Sequence, residues 1–124
     1  MTKVTIIKAL AGIVAADHAC KEVSRLSELM VLIDYTGDGV DSAASLKIYS
    51  AMDPAGTVKA LVGFAPILTG TRDTDGTLAF ATANVCAAYQ VAGRHKYLYI
   101  DISGVTDTIA VSAWIIGREE FGNV

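Results

Sequence analysis

Four side chains in this 124-residue sequence carry the nitrogen and sulfur atoms that hold soft metals: His18, Cys20, Cys86 and His95. A structural zinc site needs four such ligands to converge, and they usually come in short, repeated spacings that are absent here. The pattern therefore favours two packed thiols over a disulfide, and two surface imidazoles over a zinc centre. Asp73 and Asp75, just before Gly76, resemble the opening of a calcium loop, in which alternating carboxylates converge on a hard cation. The later acidic ligand and the terminal bidentate glutamate are missing, and Asp and Gly are also what any exposed turn recruits. Asp38 and Asp41 read the same way. No metal and no cofactor is expected.

Acid–base chemistry has one opening. Asp34 and Asp101 each interrupt an apolar-rich strand, and two carboxylates on neighbouring strands can divide the roles of acid and base. Solvated carboxylates are the simpler expectation. The sequence holds no G-x-S-x-G elbow, no H-E-x-x-H, no phosphate-loop lysine and no G-x-G-x-x-G. The expectation is a protein that is not an enzyme.

Charge narrows the partners. The net charge is −3 and the isoelectric point about 5.2, and the densest basic cluster is only Arg94, His95 and Lys96. Nucleic-acid binding normally shows as a basic patch or stripe, so none is expected. Lys3 and Lys8 precede an apolar run at 9–16 that has the look of a short signal peptide, but Lys8 interrupts any longer apolar region. Secretion is not expected, and no run approaches the roughly 18 apolar residues that span a membrane. With glycine counted and tyrosine left out, apolar residues make up about 57% of the chain, above the usual 45–50%. That surplus points to a second buried surface, against neighbouring subunits.

The elements that must position these residues are strands. In the stretch GRHKYLYIDIS (93–103), Leu98, Ile100 and Ile102 share one face of a two-residue repeat, and Tyr97, Tyr99 and Asp101 share the other. The run 29–35 is apolar on both faces and predicts a central strand buried on both sides. Further strands are expected at 4–10, 18–25, 46–50, 57–64, 77–82, 85–91 and 108–117. Asp53-Pro54-Ala55-Gly56 reads as a turn. The spacing at 11–29 also admits a helix, which short strands and frequent turns outweigh. One all-β domain follows, a single jelly-roll-like β-sandwich over 26–124 with residues 1–25 as an N-terminal arm or edge strands.

In TIAVSAWIIG, Ile109, Val111, Ala113 and Ile115 form one face, and Ser112, Trp114 and Ile116 the other. Trp is highly buried on average, so Trp114 is expected in the core. Its alternative is an exterior aromatic patch with Tyr97 and Tyr99, because Tyr and Trp anchor interfaces. Ile6, Ile7 and Leu10, on the N-terminal segment, complete the expected interface.

The C-terminal half, ATANVCAAYQVAGRHKYLYIDISGVTDTIAVSAWIIG, with the earlier hairpin LKIYSAMDPAGTVKAL, resembles small β-sandwich virion proteins of tailed bacteriophages. The resemblance spans roughly residues 28–117 and rests on hairpin pattern: Tyr89, Val91 and Gly93, then the basic-aromatic strand, a Gly/Thr/Asp turn and a final alternating strand. It implies a capsid decoration, or cement, protein: made in the host cytoplasm, bound to the major capsid protein on the outer head surface, and homotrimeric or otherwise homo-oligomeric. The rivals are a tail or neck protein and a carbohydrate-binding host-attachment sandwich.

Overall fold

In a computed structural model that describes residues 2–36, 44–62, 64–66, 71–72, 78–80, 85–103 and 110–120, every regular element is a strand. Sheet A holds β1 (Thr2–Ile13), β11 (Ala110–Glu120), β3 (Leu26–Thr36), β9 (Val85–Val91) and β6 (Phe64–Pro66), side by side in that order. Sheet B holds β2 (Asp17–Glu22), β10 (Tyr97–Ser103), β4 (Ala44–Ala51), β8 (Leu78–Phe80) and β7 (Thr71–Arg72), and β5 (Lys59–Leu61) pairs with the far half of β4. All pairings are antiparallel.

The pairings are nested: β1 with β11, β2 with β10, β3 with β9 and β4 with β8. Successive pairs alternate between the sheets, so the chain is one long hairpin rolled around its own core. That is a jelly roll. Residues 2–22 supply one edge strand of each sheet, β1 on sheet A and β2 on sheet B. The stretch 11–29 contains β2 and the start of β3, and the helical alternative falls away.

Between the sheets lies a single core. Val31, Ile33 and Tyr35 of β3, Val111, Ala113 and Ile115 of β11, Leu98, Ile100 and Ile102 of β10, and Leu46 and Ile48 of β4 are fully buried. Two-residue alternation sends these side chains inward and their neighbours outward. The run 29–35 departs from expectation in one respect. It is central in its sheet, between β11 and β9, but Met30 and Leu32 are only half-buried and Asp34 is exposed on the outer face. A central position supplies hydrogen-bonding neighbours on both edges without covering both faces. The expected strand at 57–64 is also broken, into β5 and β6, and Val58 is exposed.

One irregularity sets the register of sheet A. Ile116 pairs with Met30 and Arg118 with Ser27, so Glu28 and Leu29 together oppose Gly117 as a β-bulge. Glu28 takes φ of 53°, and its carboxylate meets the Arg118 guanidinium at 3.2 Å. Gly117 is buried, and a Cβ there would stand 2.8 Å from Leu26 Cβ and 3.1 Å from Leu29 Cδ2. Gly117→Ala should therefore cost about 1–3 kcal/mol through overpacking. Gly12, at φ 55°, has nothing within 4 Å of such a Cβ, so Gly12→Ala should lose only the roughly 1–2 kcal/mol of left-handed backbone strain. Urea denaturation of both variants checks the contrast, and a Gly117→Ala protein as stable as the parent would contradict the bulge packing.

Candidate interaction surfaces

With the core closed, what the chain presents to a partner is the outer face of each sheet. On sheet B the register places Cys20, Tyr99 and Tyr49 in one cross-strand row and His18, Asp101 and Lys47 in the next. Tyr99 is the hub. The His18 ring stacks on it with centroids 5.1 Å apart and planes 11° apart, and Tyr49 meets it edge-on at 5.6 Å. The Lys59 ammonium sits 4.6 Å from the Tyr99 centroid and 5.5 Å from that of Tyr49, a cation–π pair of contacts.

The turn after β4 folds onto this hub. Asp53 starts it, accepting the Val58 N–H on Oδ1 at 3.1 Å and the Gly56 N–H on its backbone oxygen at 3.0 Å. Gly56, at φ 70°, lies so close to the Tyr99 ring that a Cβ would overlap its carbon atoms. Lys59 Nζ donates back to the Gly56 carbonyl at 3.0 Å, and the Cys20 thiol approaches the Asp53 carbonyl at 3.6 Å. The tyrosine face of the 93–103 strand thus touches the protein's own hairpin. Backbone donors from Val58 and Thr57 hold the Asp53 carboxyl below its usual value. Burial, then the Asp53 carboxylate, push the Cys20 thiol up against the opposing pull of Lys59. Burial, then the Asp101 carboxylate, likewise raise Tyr99. Tyr97 is half-buried beside this cluster, with the Lys96 ammonium 5.9 Å from its ring.

Sheet A has a different exterior. One cross-strand row reads Ile6, Ile116, Met30, Gln90, and the next reads Lys8, Trp114, Leu32, Ala88. Val4 and Ile6 are 65% and 64% exposed, while Ile116, Met30, Trp114 and Leu32 are half-buried. Beside the bulge, a shallow groove of about 350 Å³ opens between Val4, Met30 and Ile116, rimmed by Glu28, Arg118 and Gln90. Ala88, at the end of the second row, is buried, and no described segment covers the rest of these rows as the 53–56 turn covers Tyr99.

This sorts the expected interface residues. Trp114 is not in the core: it stands on the outer face of sheet A, with the Lys8 ammonium 5.5 Å from its ring. Its parity on β11 is opposite to that of Val111, Ala113 and Ile115, which fill the interior. Nor does it join Tyr97 and Tyr99, which lie on the other side of the sandwich. Ile6 shares the Trp114 face. Ile7 points inward, half-buried against the core, and Leu10 is buried within it at 5% exposure, so neither stands on the outer face.

The metal and acid–base candidates do not assemble. Asp34 is on sheet A and Asp101 on sheet B, so the two carboxylates are not neighbours. His95 bonds Ser50 Oγ through Nδ1 and the Ala92 carbonyl through Nε2, both at 2.9 Å, which fixes its ring away from His18 and Cys20. Cys20 is a free thiol. Among the described residues, no group of three or more His, Cys, Asp and Glu stands close enough to hold a metal ion. Asp38, Asp41, Asp73 and Asp75 lie outside the described residues, as does the side chain of Cys86.

No protein-family model matches the chain, and no curated protein sequence does. Solved structures do. The SPBc2 prophage-derived protein YomS superposes with a TM-score of 0.58 over 94% of this chain and 96% of its own, at 14% identity. The CBM32 of AlyQ, solved in complex with 4,5-unsaturated mannuronic acid, gives 0.47 over 90% and 76%, at 18% identity. The xylan-binding module CBM15 gives 0.45 over 90% and 75%, at 10% identity. The likeness to YomS is one of fold: this chain is an all-β sandwich of two antiparallel sheets.

Two measurements probe the Tyr99 hub. Gly56→Ala should destabilise by about 1–3 kcal/mol, and by less in a Tyr99→Ala background, where only the left-handed strain remains. Equal costs in both backgrounds would contradict the turn-on-ring contact. The raised pKa of Cys20 leaves less thiolate than a free cysteine has, so at pH 8 it should react with a disulfide reagent more slowly than a peptide thiol.

Proposed function

We propose that this chain is a structural protein of a bacteriophage particle, without catalytic activity, that decorates the outside of the head and braces neighbouring major capsid subunits. The observation that carries the reading is the outer face of sheet A, where two cross-strand rows set Ile6, Ile116, Met30, Trp114 and Leu32 on a rigid sheet. Contiguous apolar surface of this kind, with Ile6 exposed and the rest half-buried, fits an interaction site. The fold shared with a prophage-derived protein supports the phage setting. A decoration protein binds the assembled shell and stabilises it by mass action, by about 2.7 kcal/mol per site at a hundredfold excess over Kd. Oligomers of the chain would multiply weak individual contacts on a symmetric lattice.

A sugar-binding role would call for an open aromatic platform. On sheet B the ring that would anchor one, Tyr99, lies under the 53–56 turn.

The test uses particles purified from the phage that carries this sequence. An antibody against the chain should label heads in negative stain. Ile6→Asp with Ile116→Asp, both on the outer face, should strip the protein from heads while leaving its own thermal unfolding within a few degrees. Heads lacking the protein should open at lower temperature. Labelling confined to tails, or full head occupancy by the double variant, would overturn the proposal.

A further inference from the structure

β1 is an edge strand of 12 residues, paired with β11 on one side and with no described strand on the other. Every second residue of such a strand turns its backbone N–H and C=O toward the open side. Register shifts occur between Lys8 and Leu10 and again between Leu10 and Ile13, so the regular part of this edge is residues 2–8. An open cleft of about 310 Å³ runs beside that stretch on its inner side, with Thr5, Ile7 and Val23 among its walls and Glu22, Arg25 and Glu119 at its polar margin. On the outer side Val4 and Ile6 stand exposed.

We infer that residues 2–8 of β1 take up an extended segment of another protein as an added strand, one that carries carboxylates beside Lys3 and Lys8 and an apolar side chain in the cleft. Charge decides the occupant. β1 holds two lysines and no acidic residue, so a second copy of the same strand would bring four ammonium groups together. Lys3 now meets the Glu119 carboxylate at 3.6 Å and Lys8 lies over the Trp114 ring, both on the β11 side; each is an exposed side chain on a long stem, and carboxylates on a strand added at the open edge would draw both ammonium groups across. Backbone hydrogen bonds would supply binding, and the cleft with the two lysines would set the register. The inference stands on β1 alone and holds whatever structure the partner belongs to.

The probe is a synthetic octapeptide of alternating Val and Thr with two Glu placed five residues apart, titrated into the isotopically labelled full chain. NMR shifts and slowed amide exchange should concentrate at residues 2–8. Lys3→Glu with Lys8→Glu should weaken this peptide roughly tenfold, and a peptide with Lys in place of Glu should recover the loss on that variant. The head-binding experiment reads the sheet face, so its failure leaves this result untouched. Equal binding of the Glu and Lys peptides, perturbation away from β1, or protection of residues 2–8 by self-association alone would each overturn the inference.

Discussion

The pairing of β11 with β3 is the constraint on which the rest of the molecule depends. It joins the last described strand to one formed more than 70 residues earlier, at the centre of sheet A. A slip of one residue would send Ser112, Trp114 and Ile116 into the core and turn Val111, Ala113 and Ile115 out. The bulge at Glu28, Leu29 and Gly117 pins the register, because only a residue without a side chain fits against Leu26 and Leu29 there. Nested pairings of such separation also close long loops before they gain contacts, which places this fold among the slower folders.

The two faces of the sandwich are finished differently. Sheet B is closed by its own chain: Asp53 tightens a turn, Gly56 lets it lie on Tyr99, and Lys59 ties ring and turn together. Sheet A keeps its apolar rows uncovered among the described residues and has an unpaired edge beside them. The sandwich therefore has one face whose tyrosine cluster is occupied by its own turn and one whose apolar rows no described segment covers.

Much of this was legible in the sequence where one parity is apolar and the other polar. Leu98, Ile100 and Ile102 against Tyr97, Tyr99 and Asp101 could face only one way, and the Asp53-Pro54-Ala55-Gly56 turn announced itself by its residue types. Legibility failed where both parities are apolar. On β11 the alternation separates Trp114 from Ala113 without saying which faces in. The answer lies in the register with a neighbouring strand, which sets Ala113 beside the buried Ile33 and Trp114 beside the half-buried Leu32. Leu10 misled for another reason: the register shift after Lys8 is a feature of the pairing with β11, and nothing in the segment alone announces it. That Gly56 exists to admit Tyr99, 43 positions on, is likewise a fact of three dimensions.

The alternation on β3 and β11 has an evolutionary meaning. On both strands the buried positions from 31 to 35 and from 111 to 117 are the odd-numbered ones, and the even-numbered ones face outward. Substitutions at the even positions change what the face meets without touching what holds the body together. On the proposed function, a lineage could exchange one docking partner for another by rewriting Met30, Leu32, Trp114 and Ile116 while the interior remained under its own, separate selection.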